Sequence, residues 1–133
     1  MSKQSDTIAL IGRCLMAVMF LLSGFGKVAA PAATIAWIKS TGLPMPGVGY
    51  VISIIVELGG GLLLVLGWKT KVLGAVLSVF AIATALIFHH NVADQNQLFH
   101  FLKNIAVMGG LFQLMAFGAG NLSLDARLAR KSS

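Results

Sequence analysis

Glu57 is the residue that most restricts what this chain can fold into. It stands near the middle of Val51–Gly67 (VISIIVELGGGLLLVLG), which is otherwise apolar from end to end. With Gly49, Tyr50 and Trp68 the run reaches about 20 residues, long enough to cross a bilayer. A carboxylate at that depth costs roughly 2.5–3.5 kcal/mol on insertion scales, so it is expected to face protein and to have a partner. Gly59, Gly60 and Gly61 follow it, where a neighbouring helix can come close. The rest of the chain reads as three more spans that house this acid.

Composition agrees. The 133 residues are 57% apolar and 11% charged, less than half the ~25% charge of soluble domains. Four spans of about 20 residues leave no room for a soluble catalytic domain. The net charge of +6 raises the question of nucleic acid. The cations sit at the ends of the apolar runs and form no stripe, which argues against that partner. Cys14 is the sole cysteine, so an intrachain disulfide and a CxxC redox centre are excluded, and it reads as a small buried apolar residue.

The spans fall at about 8–28, 49–68, 72–90 and 101–119, in one domain covering 1–133. The first resembles a signal peptide, with small residues at Val28-Ala29-Ala30. Its length, the interruption by Arg13 and the Pro31 after the candidate cleavage site mark it as a retained span. Between the first two spans, Ala32 to Ser40 suits a short interfacial or re-entrant helix, with Trp37 at headgroup level and Lys39 reaching water. The prolines and glycines of 42–47 then force a turn. Asn91 to His100 reads as a polar loop. The expected fold is therefore all-α, an antiparallel four-helix transmembrane bundle.

Lys3, Lys69, Lys71, Arg127, Arg130 and Lys131 gather on one side, with Arg13 nearest it, against Lys27, Lys39 and Lys103 on the other. The positive-inside rule puts both termini in the cytoplasm and the histidine-bearing loop outside, in a bacterial inner (cytoplasmic) membrane.

Two polar groups lie inside this bundle. Arg13, Ala17, Phe20, Gly24 and Lys27 repeat at four, three, four and three, hence on one helical face. Arg13 and Lys27 are roughly 21 Å apart along the axis, with Glu57 on the antiparallel second span between their levels. Arg13 is the expected partner of Glu57 and Lys27 the other candidate. The competing reading is a structural ion pair that does no chemistry. The second group, at the outer end, comprises Lys27, His89, His90, His100, Lys103 and Asn104. It suits a polar mouth with donors for a carbonyl, phenolate or other anion, though His90 and His100 read more simply as interface residues. Three histidines without an acidic cluster make a weak metal case. Nucleophile-elbow and phosphate-loop motifs are missing.

Taken together, Ser23-Gly24-Phe25-Gly26-Lys27, Gly42-Leu43-Pro44-Met45-Pro46, Glu57-Leu58-Gly59-Gly60-Gly61, the series His89-His90 … Phe101-Leu102-Lys103-Asn104 … Gly109-Gly110 and the tail 118–125 resemble the DoxX family of small four-helix membrane proteins. The family's aromatic-acidic sequence after the paired histidines is absent, with Asn91-Val92-Ala93 in its place and Asp94 displaced. The resemblance implies links to quinone-coupled oxidation and oxidative-stress responses, and polar intramembrane positions at Arg13, Lys27, Glu57, His89, Lys103 and Asn104.

The leading expectation is a quinone-binding subunit of a membrane oxidoreductase. Lys103, Asn104 or His89 would meet the ring carbonyls and Glu57 would relay protons. No metal, haem or flavin site is expected, so electrons come from a membrane or soluble redox partner or from the substrate. The rivals are a scaffold that docks proteins, lipids or a second copy of the chain through its glycine faces and basic tail, and a small-metabolite carrier.

Overall fold

The computed structural model describes residues 2–132. They form six helices: α1 (Lys3–Ala29), α2 (Pro31–Ser40), α3 (Pro46–Leu66), α4 (Thr70–Phe88), α5 (Gln95–Phe117) and α6 (Leu124–Ser132). Helices α1, α3, α4 and α5 are each long and apolar enough to cross a membrane, and each buries a third or less of its apolar length within the chain. The rest, including Leu15, Leu22, Val79 and Phe112, looks outward and is suited to acyl chains, since lipid and leucine are equally apolar. The inner seam is built from Ala17 and Phe20 of α1, Leu64 of α3, Leu77 of α4, and Leu111 and Leu114 of α5.

Helix ends follow local chemistry. Ser2 caps α1 by accepting from the Ser5 amide at 3.1 Å, satisfying a donor that a helix start leaves free. Pro31 ends α1 by forcing Ala30 out of the helical region (φ −135°, ψ 68°) and opens α2 at its first position. Pro46 opens α3 in the same way. The fourth membrane helix starts earlier than the sequence suggests. Asp94 accepts from the Asn96 amide at 3.0 Å and caps α5, so Gln95 to His100 form helical turns and, with α4 ending at Phe88, the loop runs over 89–94. Polar residues there suggest a loop, whereas a helix emerging from the membrane needs no apolar face.

Close contacts fix an antiparallel register. Going up α1 from Arg13 to Ala17, Leu21 and Gly24 meets α3 at Leu64, Gly61 and Glu57 in reverse order. Gly60 lies against Leu77 of α4, Gly74 of α4 against Met115 of α5, and Gly110 of α5 against Met16 of α1. Of the three successive glycines, Gly60 and Gly61 serve this inner packing, while Gly59 faces open space. α1 pairs chiefly with α3 and α4 with α5, and α2 folds back on the start of α3.

The end carrying both termini is tied shut by polar bonds. Asp6 accepts from the amide and side chain of Asn121 at 3.0 and 3.1 Å. Asp125 accepts from the Lys69 amide (2.6 Å), the Thr70 amide (2.9 Å) and the Thr70 hydroxyl (2.7 Å), capping α4 from a distant part of the chain. Gly67 turns α3 into α4 with φ +71°, and a Cβ there would stand 2.5 Å from Ser123 and 2.6 Å from Arg13. Gly67→Ala therefore combines a left-handed backbone with a collision. It is expected to lower the unfolding temperature in detergent clearly, whereas Gly109→Ala, whose new methyl meets nothing within 4 Å, leaves it unchanged or slightly raised.

Burial alone would raise the Asp125 pKa, but the bonds from Thr70 and Lys69 and the field of Arg13 outweigh it, so the group is held below its ordinary 3.8. A folded pKa below the unfolded one gives stability that is complete above 3.8 and fades as pH falls through the lower folded value. Asp125→Ala is thus expected to be less stable than the parent at neutral pH. The gap should narrow only under acid conditions below about pH 4, as thermal unfolding followed over pH will show.

Candidate functional site

Within Ile55–Gly59 the α3 backbone widens into a single π-turn, and Glu57 sits at its centre, 5% exposed. π-turns insert an extra residue into a helix and are frequent at functional sites. Lys27 Nζ donates to both oxygens of Glu57, at 2.8 and 2.9 Å, and to Ser23 Oγ at 3.0 Å. These three bonds use all the ammonium's hydrogens. Gly24 makes the approach possible, because a Cβ on it would lie 2.6 Å from Leu58 and 3.3 Å from Glu57 Cβ. Tyr50 Oη donates to the Lys27 carbonyl at 3.0 Å and pins the end of α1 to α3.

Lys27, and not Arg13, is therefore the partner of Glu57. Arg13 lies on the same face of α1, as its spacing requires, and is 2% exposed. It points to the opposite end of the bundle, where its guanidinium donates to the carbonyls of Leu64 (2.8 Å), Val65 (2.9 Å), Ala119 (3.2 Å) and Leu122. Leu64 and Val65 carry last-turn carbonyls of α3, which lack helical partners and form the negative end of the helix dipole. That sink for a planar five-donor group was invisible in the sequence, because it consists of backbone.

A cavity of about 380 Å³ opens above the Lys27–Glu57 pair. Met19, Phe20 and Ser23 of α1, Trp37 and Ile38 of α2, Ser53 of α3, Phe80, Ala81, Thr84 and Phe88 of α4, and Asn96, His100, Lys103 and Asn104 of α5 contribute to its walls, with His89 at its rim. Trp37 packs on Phe88 with ring centroids 4.8 Å apart, and His89 stacks on His100 at 4.9 Å. Helix α2 thus roofs the cavity, with Trp37 turned onto α4. Lys103 Nζ lies 3.4 Å from His100 Nδ1. Asn104, 7% exposed, donates to the Ala81 carbonyl (2.9 Å) and Thr84 Oγ1 (3.1 Å), which commits both amide hydrogens to joining α4 and α5.

Of the six residues singled out from the sequence, the cavity gathers Lys27, Glu57, His89, Lys103 and Asn104, and Arg13 stands apart. His90 is exposed and does not line it. Trp37, Ser53 and Thr84 were not singled out as site residues. They are ordinary residues in sequence, and only the packing of α2 and α4 brings them together. Among the described residues no three His, Cys, Asp or Glu side chains are grouped to hold a metal.

Four membrane-crossing helices, a roof helix and a buried Lys–Glu pair under a cavity define a small membrane protein with an intramembrane polar site. The chain belongs to the DoxX family, whose model matches residues 8–90. It is 33% identical over 131 residues to the inner membrane protein YqjF of Escherichia coli (strain K12), covering 98% of this chain and 99% of that one. It is 30% identical over 125 residues to the inner membrane protein YphA of the same organism, covering 90% and 89%. No solved structure matches it.

Removing one member of a buried ion pair leaves the other charge without a partner, at a cost of up to about 3–5 kcal/mol. Lys27→Met and Glu57→Gln should each destabilise the protein in detergent. The double variant should lose less than the sum, and a thermal-unfolding double-mutant cycle measures that coupling. Additive losses would show that the pair contributes nothing as a pair.

Proposed function

We propose that this is an inner-membrane protein, both termini cytoplasmic, that binds a quinone-like ring in the cavity above Lys27 and Glu57 as part of a membrane oxidoreductase system. The observation that carries the reading is a cavity of about 380 Å³ with aromatic walls and a few convergent polar groups, the ordinary make-up of a site for a flat, largely apolar ligand. Phe80, Phe88 and Trp37 supply faces for a ring, and the bilayer supplies the route for a lipophilic molecule.

The donor set fits the ligand. Lys27 and Asn104 have their hydrogens occupied, and Lys103 and the two rim histidines are among the groups left to meet a carbonyl oxygen. A bound quinone would supply two-electron, two-proton chemistry, with electrons exchanged with a partner protein or the substrate. Among the described residues Glu57 is the only carboxylate lining the cavity, and it would be the group to hold or pass a proton at its Oε atoms. The roles of Glu57 in proton relay and of His89 and Lys103 in binding belong to this proposal.

A scaffold role draws on a different observation. Gly12, Gly26, Gly59 and Gly109 leave open surface on the outer faces of the helices, where another helix can come close.

In a Trp68→Phe background Trp37 is the sole tryptophan and reports on the cavity. A short-chain benzoquinone or naphthoquinone titrated into the purified protein should quench it saturably. Ser53→Leu, which fills part of the wall, should weaken that quenching at least about tenfold, the factor that a loss of ~1.4 kcal/mol gives. Quenching that never saturates, or that is unchanged by Ser53→Leu, would rule out the cavity as the binding place.

A further inference from the structure

Charge balance around the cavity goes further than its shape. Lys27 and Glu57 cancel, with every ammonium hydrogen of Lys27 directed to Glu57 or Ser23. Asn104 is neutral and internally bonded. Lys103 is different. It lines the same cavity, and among the described residues no carboxylate lies within ion-pair distance of its Nζ. Its one hydrogen-bond partner is His100 Nδ1 at 3.4 Å. An ammonium only donates, so this nitrogen must accept. Two hydrogens of Lys103 stay open, and His100 stacks on His89 beside them.

Lys103 is therefore a cation on the cavity wall with no carboxylate among the described residues to neutralise it, beside aromatic walls suited to a flat ring. We infer that the ligand of this cavity is anionic: a ring bearing an ionised acidic oxygen, such as the enolate of a hydroxyquinone, with that oxygen on Lys103 Nζ and the rim histidines as further donors. Lys103 is then the specificity-determining residue, choosing the ionised ring over its neutral parent. The inference rests on the proposed quinone reading and narrows it to a charge class. Hydrogen bonds to an ionised acceptor are stronger than those to a neutral carbonyl, by an amount worth about tenfold in affinity.

The test compares hydroxynaphthoquinone, a vinylogous acid ionised at neutral pH, with naphthoquinone, its neutral parent of nearly the same shape. Both are titrated into the Trp68→Phe protein in zwitterionic detergent and read by Trp37 quenching. The hydroxylated ring should bind about tenfold tighter. Lys103 is exposed, so Lys103→Gln should fold normally. It should bring the two affinities to within about twofold by weakening the ionised ring alone, and Lys103→Arg should restore the preference. Equal binding of both rings to the parent protein overturns the inference and leaves the quinone reading standing. Binding of neither overturns both. A preference that survives Lys103→Gln overturns the role of Lys103, and its loss on adding anionic phosphatidylglycerol vesicles would assign Lys103 to lipid headgroups instead.

Discussion

A carboxylate surrounded by hydrocarbon is tolerable only with a cation against it, and the geometry of Glu57 follows from that requirement. Its ion pair with Lys27 closes at 2.8 Å because three unrelated features act together. The π-turn lets α3 present Glu57 toward α1 without breaking the helix. Gly24 removes the side chain that would hold the helices apart. Ser23, one turn below Lys27, takes the third ammonium hydrogen, so the cation too is satisfied. A buried pair of this kind seldom adds much net stability over an apolar pair.

Periodicity made the polar face of α1 legible, and its residues Arg13, Ala17, Phe20 and Gly24 are all buried. The spacing cannot say which cation meets Glu57. Arg13 and Lys27 share the face, and the choice depends on the register between α1 and α3, which the loop at 30–45 sets. Once Gly24 sits opposite Glu57, Arg13 is three helical turns away and turns to the carbonyl end of α3 instead. The four spans were readable from length and apolarity. The start of α5 was not, because Asp94 acts through an Asx-type cap that looks the same as any loop aspartate.

Backbone acceptors account for most of what the residues could not reveal. Arg13 gathers segments around 64–65 and 119–122, and Asp125 caps α4 from beyond the last span. Asp6 does the same for the turn at Asn121. Two of the four carboxylates in the chain are thus spent on one end of the bundle, and Asp94 on a helix start. That leaves Glu57, among the described residues, as the sole acid facing the interior cavity.

The two ends of the bundle solve the same packing problem in opposite ways. Where the termini lie, a long guanidinium and the returning tail occupy the space between the helix pairs, and every donor of consequence ends on a carbonyl or carboxylate. At the other end the corresponding space is bounded by short side chains, Ser23, Ser53, Ala81 and Thr84, and the cations on its walls are of two kinds. Lys27 is neutralised and fully bonded. Lys103 is not. A protein that needed only to hold four helices together would gain by filling this end as it fills the other, since an empty volume forfeits dispersion contacts along its whole lining. Keeping the volume open, aromatic on its sides and polar at its floor, is physically sensible when another molecule completes the packing.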